Sequence, residues 1–344
     1  MTSTLVTTWF ALTLLIFTGC HHSISSSLDS GAAIDHSTSL LGGERGLDHV
    51  GVAVRDLEAA TRAYHDVLGF SRPIEGKLPN GIRNVNYYFA DSTYLETLTP
   101  WDRDKAAWLA SFVDHHNGAL FGVLSTYSPE ATRTYLAKRG LQVGAPFAGT
   151  IQTANDKEMP AEKWRTFFLP DGYLAGDPLY FISYPRADRE AFLHKLEDRG
   201  VRRGFYHENT ALGLRSLWIA VPDLDSATRA YESIGLIKKD RFVDARMSAN
   251  AQSLEAGAGE IWLMAPTNEK GAVADFLRER GPGIIGMTLL AGSVPAAARL
   301  LAARTGRAFP SYEGRLGNSI RVPPDLTFGP WIEFAQYLVP PSKQ

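Results

Sequence analysis

Leu47-Asp48-His49-Val50-Gly51-Val52-Ala53-Val54 is the stretch on which the fold turns. Alternation predicts a strand with Val50, Val52 and Val54 on one face and His49, Gly51 and Ala53 on the other. The first set makes a core face. The second offers a potential ligand beside residues too small to fill the space in front of it. A helix-like run follows from Asp56, placed as an N-cap, to about Leu68. Thr93-Tyr94-Leu95-Glu96-Thr97-Leu98 then reads as a strand before Pro100, with Tyr94, Glu96 and Leu98 sharing a face. Whether His49 and Glu96 meet decides what chemistry the chain offers.

The pattern recurs, and repeats decide architecture. Ala53-Val54-Arg55-Asp56-Leu57 with Ala60-Thr61-Arg62-Ala63-Tyr64 returns as Ala220-Val221-Pro222-Asp223-Leu224 with Ala227-Thr228-Arg229-Ala230-Tyr231. A weaker copy lies between them, in Phe121-Gly122-Val123-Leu124, Glu130-Ala131-Thr132-Arg133-Thr134-Tyr135 and Leu179-Tyr180-Phe181-Ile182-Ser183. A fourth follows Pro282, ending on Trp331-Ile332-Glu333-Phe334. Each copy reads strand, helix, then several strands, so the chain is expected to be α+β, with four βαβββ-like modules filling residues 46–340.

Composition sets the bounds. The 344 residues, 44% hydrophobic and 21% charged, allow about two domains. A formal net charge of −2 with dispersed basic residues gives no electrostatic footprint for nucleic acid, and small molecules are the expected partners. The single cysteine, Cys20, excludes an intrachain disulfide framework and any cysteine-based zinc cluster. It follows the apolar run Trp9–Phe17 and Thr18-Gly19, a hydrophobic core of signal-peptide length. Small residues before a cysteine resemble a bacterial lipobox. This reading makes residues 1–20 a signal peptide with Cys20 lipidated, and residues 21–45 a flexible Ser-rich tether. The protein is then exported to the cell envelope and anchored in a bacterial membrane on its periplasmic side. Phe17 and the lack of Lys or Arg before the apolar run depart from the pattern, and an uncleaved N-terminal anchor or a mistaken start codon is the plainer alternative.

Leu47-Asp48-His49-Val50, the helix start Asp56-Leu57-Glu58-Ala59-Ala60, Arg83-Asn84, Tyr94-Leu95-Glu96 and Leu179-Tyr180-Phe181-Ile182 together resemble the glyoxalase-like domains of the vicinal oxygen chelate superfamily. The resemblance implies modules paired into two half-open barrels, a glyoxalase-like domain over residues 46–186, a connector over 187–213 and a second such domain over 214–340. It also implies that inward side chains of a module's first and last strands bind one divalent metal, which chelates adjacent oxygens of a substrate. His49 and Glu96 match those positions. In the second module the equivalents are read as Leu120 and Phe181, and in the third as Ser216 and Trp262. In the fourth, aligning Gly69 with Gly306 sets Gly286 at the His49 place and Glu333 at the Glu96 place.

Two protein ligands are too few for a firm divalent site. If modules one and four pair, His49, Glu96 and Glu333 converge, a set that suits Zn, Mn, Fe or Ni. Sequential pairing leaves His49 and Glu96 with water or substrate and separates Glu333. A carboxylate freed from metal duty, Glu96 or Glu333, then becomes a candidate general base. Arg83 and Asn84 at the rim are candidates for substrate contact, with Arg83 equally able to pair Glu96. Tyr94 and Trp331 are candidates for an aromatic pocket wall, packing being the simpler role. The expected function is a metal-dependent lyase or isomerase acting on a small oxygenated molecule. The alternatives are a metal-free protein that sequesters small molecules and, more weakly, an extradiol dioxygenase.

Overall fold

The computed structural model describes residues 34–71, 73–150, 163–185 and 206–337. Cys20, the apolar run before it and residues 187–205 of the expected connector lie outside the described residues. Within the described residues no helix is long and apolar enough to cross a membrane.

The first half runs β1 (Gly46–Ala53), α1 (Leu57–Arg62, continued by a π turn over Ala63–Val67), β2 (Ile74–Lys77), β3 (Ile82–Tyr88), β4 (Tyr94–Pro100), α2 (Ala107–His115), β5 (Gly118–Ser125), α3 (Pro129–Lys138), β6 (Phe147–Gly149), β7 (Trp164–Phe168) and β8 (Leu179–Ser183). The second half repeats it with β9 (Ala211–Ala220), α4 (Leu224–Ser233), β10 (Ile237–Asp244), β11 (Ala249–Ala256), β12 (Gly259–Pro266), α5 (Ala272–Arg280), β13 (Gly283–Ala291), α6 (Val294–Thr305), β14 (Tyr312–Gly314), β15 (Gly317–Val322), α7 (Pro324–Thr327) and β16 (Trp331–Gln336).

Each half is one eight-stranded sheet. The orders are β2-β3-β4-β1-β5-β8-β7-β6 and β10-β11-β12-β9-β13-β16-β15-β14. Modules one and two therefore share the first sheet, and modules three and four the second. This is the α+β architecture of paired βαβββ modules, and of the two pairings the chain adopts the sequential one.

Every module opens the same way. Asp56, Ser128, Asp223 and Ser293 each follow a strand by two or three residues and accept the backbone N–H of Ala59, Ala131, Ser226 and Ala296, a cap contributing about 1 kcal/mol per helix. Aligned on those caps, Leu57, Ala60 and Tyr64 of α1 correspond to Pro129, Thr132 and Leu136 of α3, all buried. The likeness of Glu130–Tyr135 to the first helix is thus one residue out of register with the burial.

Val50, Val52 and Val54 form a core face, in one continuous cluster with Leu217, Ile219 and the buried faces of the module helices. That cluster joins the backs of the two sheets. The opposite, concave faces hold separate clusters. Leu109 and Val113 of α2 sit with Ala53, Ile82 and Leu98 in the first cup, and Val273 of α5 sits with Trp218, Trp262 and Ile285 in the second. The halves also meet through the backbone, where Gly46 bridges Gly257, and through the Tyr64 hydroxyl, which donates to the Thr327 carbonyl at 2.7 Å. Part of the stretch read as a tether is built in: Leu40 is 2% exposed and the His36 ring stacks on Tyr127.

Candidate active site

β1 and β4 lie side by side and parallel, pairing His49 with Tyr94 and Gly51 with Glu96. Paired residues project to the same face, so His49 and Glu96 enter the first cup together. His49 Nε2 lies 3.7 Å from Glu96 Oε2, with side-chain exposures of 2% and 9%. Asn84, on the neighbouring β3, donates its amide to Glu96 Oε1 at 2.6 Å. Burial pushes the Glu96 carboxyl above its ordinary range, opposed by His49 and by the Asn84 hydrogen bond.

A residue that strict alternation sends to the core face joins them. The pairing of β1 with β5 slips between Leu47 and His49, so Asp48 is the extra residue of a bulge and its side chain is re-aimed. Asp48 Oδ1 lies 2.7 Å from His49 Nδ1, and both side chains are almost fully buried. Asp48 accepts Nδ1–H, which leaves Nε2 as the acceptor facing Glu96. The Tyr94 hydroxyl stands 3.3 Å from that Nε2 and the Tyr180 hydroxyl 3.5 Å. Tyr184 donates to Asp48 at 3.2 Å. Burial, reinforced by the nearby acidic groups, holds the Tyr94, Tyr180 and Tyr184 phenols well above their ordinary range, so they stay protonated donors.

The rest of the wall is aromatic. His49 stacks on Tyr94 with centroids 4.1 Å apart, and Tyr88 packs on Tyr94 at 4.8 Å. Phe121 stands edge-on to His49 at 6.3 Å. The space expected in front of Gly51 is taken by the Phe121 ring, into which any side chain at Gly51 would collide.

Other candidates lie elsewhere. Arg83 projects from the opposite face of β3 and pairs with Glu58 and Glu75 near solvent, so it reaches neither Glu96 nor the cup. Asn84 serves Glu96. Glu333 lies on β16 of the second sheet, at the register position of Glu96, where Arg321 meets it at 2.8 Å and the Tyr312 hydroxyl donates to it. Trp331 packs in the second cup. Glu333 and Trp331 therefore do not join His49, because sequential pairing sends module four to the other sheet. Asp48, Tyr180 and Tyr184 were missed in the sequence. A bulge leaves no mark in an alternation pattern, whereas Tyr180 and Tyr184 share one period-2 face of β8 and its extension.

The divalent metal expected of such a cup does not fit firmly. His49 and Glu96 would be its ligands, with Asp48 and Asn84 orienting them as outer-shell partners. No third carboxylate, cysteine or histidine completes the set: among the described residues no group of three or more His, Cys, Asp or Glu is placed to hold a metal.

A model of the glyoxalase-like domain family matches residues 47–235. The chain belongs to that family. The glyoxalase-like fold is of the vicinal oxygen chelate type, and the structure is similar to that of a 4-hydroxymandelate synthase variant from Streptomyces coelicolor, with a TM-score of 0.57 and 13% identity over 85% of this chain and 92% of that one. A hypothetical protein from Staphylococcus aureus gives a TM-score of 0.55 and 12% identity over 85% and 98%. At these identities the likeness shows the fold alone. A methylmalonyl-CoA epimerase from Mycobacterium tuberculosis is 27% identical over 38% of this chain and 91% of its own, with a TM-score of 0.35. No curated protein matches the chain.

Proposed function

We propose that this glyoxalase-like protein moves a proton on a small oxygenated molecule bound in the first cup, as an isomerase or lyase does. The observation that carries the reading is the buried line Asp48–His49–Glu96, with distances of 2.7 and 3.7 Å, facing tyrosine hydroxyls. Tyr94 and Tyr180 donate to a substrate carbonyl oxygen and stabilise the charge that develops there. His49 Nε2 or the Glu96 carboxylate takes the proton from the adjacent carbon. The C–H electron pair becomes the enolate double bond, and the negative charge settles on the tyrosine-bound oxygen. Return of the proton to a different position gives isomerisation, and loss of a leaving group from the next carbon gives a lyase. A base of this kind contributes roughly 100- to 10,000-fold.

A second reading, a protein that sequesters an aromatic compound, is favoured by the ring wall of Tyr88, Tyr94, Phe121 and Tyr180. The metal-dependent and dioxygenase readings draw support from His49 and Glu96 alone. We further propose export and anchoring through a lipidated Cys20, which rests on the apolar run and the small residues before the cysteine.

The test is deuterium uptake. The purified chain in D2O is incubated with a panel of small α-hydroxy and keto compounds, and incorporation at carbon is read by NMR. Incorporation that falls on Glu96→Gln supports proton transfer. Tight binding of aromatic compounds with no exchange across the panel supports sequestration.

A further inference from the structure

The four helix caps give a register that the sequence alone blurs. Aligned on Asp56, Ser128, Asp223 and Ser293, the first-strand positions are His49, Phe121, Ser216 and Gly286. The parallel pairings give the matching last-strand positions: Gly51 with Glu96, Val123 with Tyr180, Trp218 with Trp262 and Thr288 with Glu333. The second module's equivalents are therefore Phe121 and Tyr180, one residue away from the Leu120 and Phe181 read from sequence.

Each cup is built from two modules and so has two such pairs. In the first cup one pair is His49 and Glu96, and the other is Phe121 and Tyr180. Their rings meet at 5.0 Å and each stands edge-on to His49. In the second cup Trp262 stacks on Trp218, and Glu333 is neutralised by Arg321.

We infer that the first cup is a half-dismantled metal site, in which Phe121 and Tyr180 occupy the two positions from which the second module would supply donors. His49 and Glu96 are left as a metal-independent pair. A firm divalent site takes three or more protein donors, and His49 and Glu96 supply two. Here one side of the cup presents the Phe121 phenyl ring, which has no lone pair to give, and the Tyr180 phenol, whose hydroxyl stands 3.5 Å from His49 Nε2. The same replacement makes that wall aromatic, with the Phe121 and Tyr180 rings set at 66° to each other, suited to an aromatic ligand carrying an oxygen within reach of Tyr94 and His49. This ligand class rests on the proton-transfer reading, whereas the statement about metal does not.

The experiment restores the lost donors. Full-length wild type, H49A, F121H/Y180E and the triple variant H49A/F121H/Y180E are dialysed against Co2+ or Zn2+, then washed, and metal content and Co2+ absorption are measured. Wild type and H49A should retain equally little, and F121H/Y180E should hold one equivalent at least about 100-fold more tightly than wild type, with the gain lost in the triple variant. Y180H, which adds one donor without a buried carboxylate, is the companion if the double variant fails to fold, and should show the same direction. Stoichiometric metal in wild type that disappears in H49A overturns the inference. So does a folded F121H/Y180E, or Y180H in its place, that binds no better than wild type. Metal content is read without turnover, so absence of deuterium exchange would refute the proposed function and leave this inference standing.

Discussion

Asp48 and His49 are consecutive residues of one strand, yet their side chains meet at 2.7 Å. Regular pleating forbids this, since neighbours point to opposite faces, and the bulge between Leu47 and His49 makes it possible. Asp48 thereby fixes which imidazole nitrogen faces Glu96. Asp48→Asn keeps the shape and removes the charge. It should redistribute the His49 tautomers, read from imidazole 15N shifts, and lower deuterium incorporation about 10- to 100-fold. Unchanged shifts and an unchanged rate would remove Asp48 from the machinery.

Glu96→Gln separates stability from function. Burial raises the folded carboxyl above its unfolded value, so the folded chain keeps its proton to higher pH than the unfolded chain does. Stability therefore declines as pH rises from the unfolded value towards the folded one, and the deficit is complete above both. Glutamine cannot ionise and escapes it. The variant should melt at or above the wild-type temperature at pH 8, with the difference fading towards pH 4, while incorporation drops about 100-fold or more. A variant less stable at pH 8 than at pH 4, relative to wild type, would contradict the sign.

The repeats were legible because Asp56-Leu57 and Asp223-Leu224 open the same helix from the same cap, and because alternation was right for Val50, Val52 and Val54. Module pairing was not legible. Four copies of one unit carry the same inward pattern whichever neighbour they join, and the choice lies in the β1–β5 and β9–β13 contacts. Phe121 was missed for a related reason: Thr132-Arg133-Thr134-Tyr135 copies the letters of Thr61–Tyr64 one residue away from the buried positions. Asp48 was illegible because a bulge is a property of two strands together.

His207 fastens the connector to the first half. It is 4% exposed, its Nδ1 accepts the Ser71 N–H at 2.9 Å, and its ring stands edge-on to Phe70 and Phe89. Burial lowers its pKa to about 4, with the Tyr88 backbone acting in the opposite direction. The folded value lies below the unfolded 6.5, so the full contribution is present above pH 6.5 and is lost as pH falls towards 4. The loss is about 3 kcal/mol at pH 4. Urea midpoints of wild type should fall across that window, and those of His207→Gln, lower at pH 7, should fall less steeply.

The joint between the halves rests on two glycines. Gly46 opens β1 with φ +89° and Gly257 has φ +68°, both in the left-handed region. They bridge each other across the sheets, and the Ala258 N–H donates to the Arg45 carbonyl at 2.6 Å alongside. A methyl group at Gly46 would collide with the Ala256 carbonyl, and one at Gly257 with the Arg45 carbonyl. Strain and collision act together here, and backbone on both sides prevents relaxation by a rotamer change. Each alanine substitution should therefore cost clearly more than Gly140→Ala, which carries about 1–2 kcal/mol of left-handed strain but has nothing within 4 Å of an added methyl. Because both glycines serve the same contact, the double variant Gly46→Ala/Gly257→Ala should cost less than the two single losses added together. Chemical denaturation of the four chains measures that coupling, and strict additivity would mean that the two residues strain the backbone independently and the bridge contributes nothing.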